Sequence, residues 1–168
     1  MKSMFSNGIV LLIVLALSGY GDGNVVKRDG QPDMVRVKSD DAKMNAAVQQ
    51  ARDSLNVFLE VLKSPKGNQS SFAVKKKFQL AADAGEHIWL IDLSYDGRNI
   101  HGKVNNEPVD VTNVKLGDPA SVSPSEISDW MFVEDGKLRG GYTIRALYDL
   151  NPASGRKRFE KETGLKAD

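Results

Sequence analysis

The sequence predicts an α+β domain in which a long N-terminal helix packs on a curved antiparallel sheet, with one or two short helices at the C-terminal end. Three observations predict it. Apolar residues recur at helical spacing from Met44 to Leu62, the pattern changes to alternation beyond Gly67, and helical signals return after Gly141.

The chain opens with Met1 and Lys2, then an apolar run from Gly8 to Leu17 that exits through Ser18 and Gly19. A positive start, an apolar stretch of roughly ten residues and a small-residue exit form the pattern of a secretory signal. A membrane-spanning helix needs about 20 apolar residues, more than this run supplies. Residues 1–20 therefore read as a signal peptide, or as an N-terminal membrane anchor if cleavage fails. Leu17-Ser18-Gly19 would begin the acylation box of a bacterial lipoprotein, but Tyr20 stands where the acylated cysteine belongs. The chain has no cysteine at all, which also removes disulfides and thiolate metal sites. The expected location is the periplasm or cell envelope of a bacterium, without lipidation.

Residues 21–40 are rich in Gly, Asp, Asn and Lys and bury too little to offset ordering entropy, so they read as a flexible tether. A helix follows, capped by Ser39 or Asp40 with Asp41 in its first turn, where negative charge suits the dipole. Its stripe is Met44, Val48, Ala51, Leu55, Phe58 and Leu62, and Lys63, Pro65 and Gly67 end it. Phe72, Val74, Phe78 and Leu80 then share one strand face, with Lys75, Lys77 and Gln79 on the other. His87 to Tyr95 is apolar on both faces and reads as a central strand. Asp96-Gly97 turns the chain into Ile100 to Val104. Short strands are expected near Val109 to Lys115 and Ala120 to Val122, between the breaks at Pro108, Gly117-Asp118-Pro119 and Pro124. Ile127 to Val133 is the last strand, closed by Asp135-Gly136. Gly140-Gly141 leads to a helix over Ile144 to Leu150, and Asn151-Pro152 to Gly164 suits a terminal helix. Residues 41–168 form one domain.

The formal net charge is +1 and falls to about zero without Lys2, so nucleic acid is not an expected partner. Few residues suggest chemistry. His87 and His101, the two histidines, lie on strands expected to be hairpin neighbours and, with Glu86, Asp92 or Asp129, would suit zinc or acid–base work, yet their spacing matches no ligand pair. Asp129 sits between apolar neighbours and must find partners or face a cleft. Arg145 is the expected partner, in an ion pair tying the last strand to the following helix. Gly140-Gly141 before Tyr142-Thr143 would leave backbone N–H groups free for an anion, although a tight turn explains both glycines. Trp89, Trp130 and Tyr142 read first as core and second as a groove. Lys75-Lys76-Lys77 and Arg156-Lys157-Arg158 read as solvated faces with weak affinity for anionic headgroups.

Ile127-Ser128-Asp129-Trp130-Met131, followed by Gly136, Leu138 and Gly140-Gly141-Tyr142-Thr143-Ile144-Arg145, resembles the signature of the YegJ-like bacterial family, a domain of unknown function. Glu86-His87-Ile88-Trp89, Asn106 with Pro108, Gly117-Asp118, and Ala47, Ala51 and Phe58-Leu59 fit the same pattern. The resemblance covers residues 40 to 150 and implies an envelope protein with a secretory or lipoprotein signal. It implies no activity and no site residue.

The functional expectation is an exported, non-enzymatic binding or accessory domain that recognises a protein or envelope component, with a periplasmic inhibitor or immunity protein as one subclass. Trp89, Asp129, Trp130, Tyr142, Thr143 and Arg145 are its candidate binding residues. No cofactor and no metal is expected, and membrane association would run through the N-terminus. The alternative is a small hydrolase or transferase using Asp129 with His87 or His101.

Overall fold

A computed structural model describes residues 25–26, 34–35, 41–80, 85–150, 157 and 160. The expected signal lies outside these residues, as does most of the expected terminal helix. Of the expected tether, the structure describes only β1 (Val25–Val26) paired antiparallel with β2 (Met34–Val35).

The single long helix is not there. Two short helices, α1 (Ala42–Asp53) and α2 (Leu55–Lys63), replace it and meet at Ser54. The cause is local: the Ser54 hydroxyl donates to the Gln50 carbonyl at 2.6 Å, competing with the backbone ladder, a substitution that bends helices. The Ser54 hydroxyl also bonds the Tyr142 hydroxyl at 2.8 Å, which anchors the break to a distant element. At the helix start the cap is Asp41, one residue beyond the expected position, whose carboxylate accepts from the Met44 N–H at 2.8 Å.

The architecture is mainly a six-stranded antiparallel sheet with short helices. Its strands are β3 (Gln69–Gln79), β4 (Gly85–Tyr95), β5 (Ile100–Val104), β6 (Pro119–Val122), β7 (Ile127–Glu134) and β8 (Lys137–Gly140), in the order β6-β5-β4-β3-β7-β8. The last element is α3 (Tyr142–Leu150). β5 buries Ile100 and Val104 with exposed positions between them, whereas β7 is buried on both faces from Ile127 to Val133. Val74, Ile88, Leu90, Ile100, Val122, Trp130 and Phe132 form one core with Ala51, Leu55, Phe58 and Leu59 of the helices. Phe58 lies at its centre, 5.4 Å from the Trp130 ring and 6.2 Å from Phe72. The Trp130 indole N–H donates to the Ala51 carbonyl at 2.8 Å, so α1 is held by a directional bond as well as by area.

The sheet curls. Lys76 on β3 reaches the Ser121 carbonyl of β6 at 2.7 Å and Glu126 at 3.3 Å, although a flat sheet would set strands three places apart by about 14 Å. A 3₁₀ turn at Pro124–Glu126 joins β6 to β7 across that concave side. Between β7 and β8, Asp135 and Gly136 carry φ of 51° and 72°, as a two-residue hairpin turn of matching twist requires. The loop after β4 is longer, since Tyr95 pairs with Ile100.

Val109 to Lys115 is not a strand. Glu86 holds the start of this loop instead, its carboxylate accepting from the amides of Val109, Asp110 and Val111 at 3.0 to 3.3 Å. Three donors on one buried acid satisfy groups that a ladder would otherwise take.

Candidate functional site

Gly140 and Gly141 turn the chain from β8 into α3 with φ of 70° and 66°, and a Cβ on Gly140 would press into the Trp130 backbone oxygen and ring. The turn brings the first amides of α3 beside β7. They are not free for an outside anion, because Asp129 takes them. Its Oδ1 accepts from the N–H of Trp130 at 2.9 Å and of Tyr142 at 3.1 Å, and its Oδ2 accepts from the Thr143 N–H at 2.8 Å and hydroxyl at 2.6 Å. The negative group at the helix start is therefore the chain's own carboxylate.

Lys75 completes this centre. It pairs with Asp129 in the β3–β7 register, donates to the Thr143 hydroxyl at 2.9 Å and places its cation 4.8 Å from the Trp89 ring centre. Enclosure lowers the Lys75 pKa against the opposing pull of Asp129, and it raises the Asp129 pKa against Lys75, Thr143 and Trp130. Both groups are pushed toward neutrality by the same cause, the loss of water.

The expected Asp129–Arg145 ion pair does not form. The Arg145 guanidinium donates instead to the carbonyls of Gly140 at 3.1 Å and Leu138 at 2.9 Å, along the edge strand β8. Of the six candidate residues, Trp89, Asp129 and Thr143 gather around Lys75. Trp130 and Tyr142 touch each other, rings 5.7 Å apart, among the residues packed with the helices. Arg145 lies with Tyr142 and Lys137 around a shallow depression of about 280 Å³. The six do not converge on one open cleft, since Asp129 is 0% and Thr143 2% exposed.

The histidines stand apart. His87 pairs with Lys77, whereas His101 pairs with Ser94, seven positions along β4 or about 23 Å. His101 bonds Asp96 at 2.8 Å in a surface turn. His87 Nδ1 bonds the Ser128 hydroxyl at 2.8 Å, and that hydroxyl also donates to the Lys75 carbonyl at 3.2 Å. Neither ring bonds Asp129. Among the described residues no group of three or more His, Cys, Asp or Glu is placed to hold a metal.

Around His87 lies a feature the sequence pattern missed. The ring is exposed, yet its pKa falls to about 4, through partial burial and through the positive charges of Lys75, Lys77 and Arg52. Arg52 comes from α1 and donates to the Ile127 carbonyl at 3.0 Å; Lys77 is exposed beside His87. Among the described residues, no carboxylate forms an ion pair with either cation. The triple lysine run is thus not one solvated face: Lys75 is enclosed, Lys76 is tied to Glu126, and Lys77 is open to water. The available signal was alternation, which sets Lys75 and Lys77 on one face, but the strands that meet it follow only from register.

These features define a small sheet domain with a closed polar centre. The chain belongs to the family described as "Uncharacterized protein conserved in bacteria (DUF2314)", which matches residues 41–167. It is 37% identical over 115 residues to "Uncharacterized protein YegJ" of Escherichia coli (strain K12), covering 67% of this chain and 72% of that protein. It is also 48% identical over 62 residues to "Putative ankyrin repeat protein NMB1133/NMB1171" of Neisseria meningitidis serogroup B (strain ATCC BAA-335 / MC58), covering 37% of this chain and 24% of that one. No solved structure matches. Among the described residues no helix is long and apolar enough to cross a membrane.

Proposed function

We propose that this domain is a non-enzymatic binding or accessory module of the bacterial cell envelope, and that it docks an acidic protein partner on the surface formed by Arg52, Lys77 and His87. The observation that carries the reading is the concentration of positive charge around exposed His87, in a chain whose formal net charge is only +1. A local field of one sign attracts a partner of the other and fixes its orientation. Asp129 is engaged in capping α3, and the Ser128 hydroxyl, in a residue 2% exposed, bonds His87 Nδ1 and donates to the Lys75 carbonyl.

Export through residues 1–20 belongs to the same reading and rests on the signal pattern, with a retained, uncleaved segment as the route to membrane association. A periplasmic inhibitor or immunity protein is the subclass that such a surface suits, because many lytic and toxic enzymes can be blocked by occupying one face. The test is affinity for a glutamate-rich peptide, measured by calorimetry at low salt for the wild type and for Arg52→Glu with Lys77→Glu. Charge reversal should weaken binding about tenfold or more, near 1.4 kcal/mol. Equal affinity of the two proteins, or binding only to anionic phospholipid vesicles, would overturn the acidic-protein assignment.

A further inference from the structure

Ser128 stands in a β-bulge. On β3, Lys75 and Lys76 are consecutive, but they pair with Asp129 and Ile127, so Ser128 is one extra residue on β7. An insertion of this kind re-aims a side chain, and here the Ser128 hydroxyl lies between the Lys75 carbonyl, at 3.2 Å, and His87 Nδ1, at 2.8 Å. We infer that Ser128 fixes the tautomer of His87, with the ring proton on Nδ1 and a bare Nε2 at the surface, and that the acidic partner brings a side-chain hydroxyl to that nitrogen. The inference rests on Arg52, Lys77 and His87 being the docking surface, and it names the chemistry which that surface selects.

A hydroxyl carries one proton. The Lys75 carbonyl can only accept, so the serine proton lies on that bond and the serine oxygen is left to accept from the ring. Nδ1 is then the donor. A neutral imidazole has a single N–H, so Nε2 keeps its lone pair. Ser128 is 2% exposed, which keeps water from competing for its oxygen, whereas His87 is exposed. Partial burial and then the cations of Lys75, Lys77 and Arg52 hold the ring pKa at about 4, so the ring is neutral at neutral pH.

The surface therefore selects two chemistries together. Arg52 donates its Nε–H to the carbonyl of Ile127, the residue before Ser128, and its two terminal amino groups remain as a fork for a carboxylate. Lys77, opposite His87 in the β3–β4 register, adds a second cation. A carboxylate cannot also serve His87, because its oxygen against a bare nitrogen sets acceptor against acceptor. A hydroxyl can, since it donates to Nε2 and accepts from the Lys77 ammonium, a combination that a single N–H cannot supply. The partner segment that fits has serine, threonine or tyrosine beside glutamate or aspartate.

Long-range proton–nitrogen NMR of the full chain at neutral pH reads the tautomer. The wild type should carry the His87 proton on Nδ1, and Ser128→Ala should populate the other form; a wild-type ring protonated on Nε2 would overturn the inference. Calorimetry then compares two peptides of equal charge, one with serines and one with alanines among its glutamates. The wild type should bind the serine peptide about fivefold more tightly, the gain of one hydrogen bond, and His87→Phe should lose that preference. Should Ser128→Ala not fold, the wild-type tautomer and the His87→Phe comparison decide the matter. Equal affinity for the two peptides, with both still weakened by Arg52→Glu and Lys77→Glu, would overturn the hydroxyl requirement and leave the docking surface standing. Binding of neither peptide would overturn the docking surface and the inference with it.

Discussion

Replacing Thr143 by valine removes one hydroxyl from the closed centre and changes little else. In the wild type that hydroxyl donates to Asp129 Oδ2 at 2.6 Å and accepts from Lys75 Nζ at 2.9 Å, in a residue only 2% exposed. Valine keeps the shape, so the packing loss is small, but both polar groups lose a partner. A buried polar group left unsatisfied costs about 1–3 kcal/mol. Asp129 retains three backbone donors and bears the smaller share, whereas among the described residues the Lys75 amine donates a hydrogen bond to Thr143 alone. The expected total is about 3 kcal/mol. Thr143→Ser restores the hydroxyl and deletes one methyl, at about 0.8 kcal/mol. Urea unfolding of the three proteins, followed by tryptophan fluorescence and fitted to two states, gives the comparison directly. Serine should fall close to the wild type and valine well below. If valine unfolds within about 1 kcal/mol of serine, the hydroxyl does not hold this centre together and the reasoning fails.

Three further outcomes follow from other parts of the structure. Phe58→Ala should cost about 3–5 kcal/mol in the same urea assay, because a fully buried ring contacting Trp130, Phe72 and Phe132 leaves a cavity; a loss under about 1 kcal/mol would contradict the core assignment. Arg145→Ala frees the outward carbonyls of Leu138 and Gly140 on the edge strand β8, so sedimentation should show concentration-dependent self-association that the wild type lacks, since open strand edges pair with other chains. His87 is neutral in the fold down to about pH 4, whereas in the unfolded chain it takes up its proton near its ordinary value of 6.5. Stability should therefore be full above pH 6.5 and fall between pH 6.5 and 4, by about 1 kcal/mol once solvent screening at this exposed ring is allowed for, and His87→Gln should flatten that part of the profile.

Much of the fold is legible in the sequence because period and punctuation are local. The alternation over Phe72 to Val74, the apolar run from Ile88 and the Asp135-Gly136 turn all appear where the pattern sets them. What escaped depends on contacts distant in sequence. The stripe from Met44 to Leu62 keeps helical spacing across Ser54, so nothing in it reveals that a serine hydroxyl bonded to Gln50 and Tyr142 would divide the helix. Strand β8 is four residues long and carries two cations, too short for a periodic signal. The loop after Pro108 has strand-like residues but is claimed by Glu86. At the site, the pattern marked Asp129 as a buried acid in need of partners and chose the wrong one. Arg145 was near in sequence, and Lys75, 54 positions away, became its neighbour only through register.

The positive surface at His87 carries the proposed function, and the histidine ring itself reports on it. Titrating that ring by NMR, in the free protein and with a saturating glutamate-rich peptide, tests the claim most directly. The free ring should titrate near pH 4, and the bound ring at a distinctly higher pH, because an acidic group nearby favours the charged form. Affinity should then rise as pH falls from neutral toward that range. A free ring titrating near the ordinary histidine value of 6.5, or a low value unmoved by the peptide, would contradict the proposed surface.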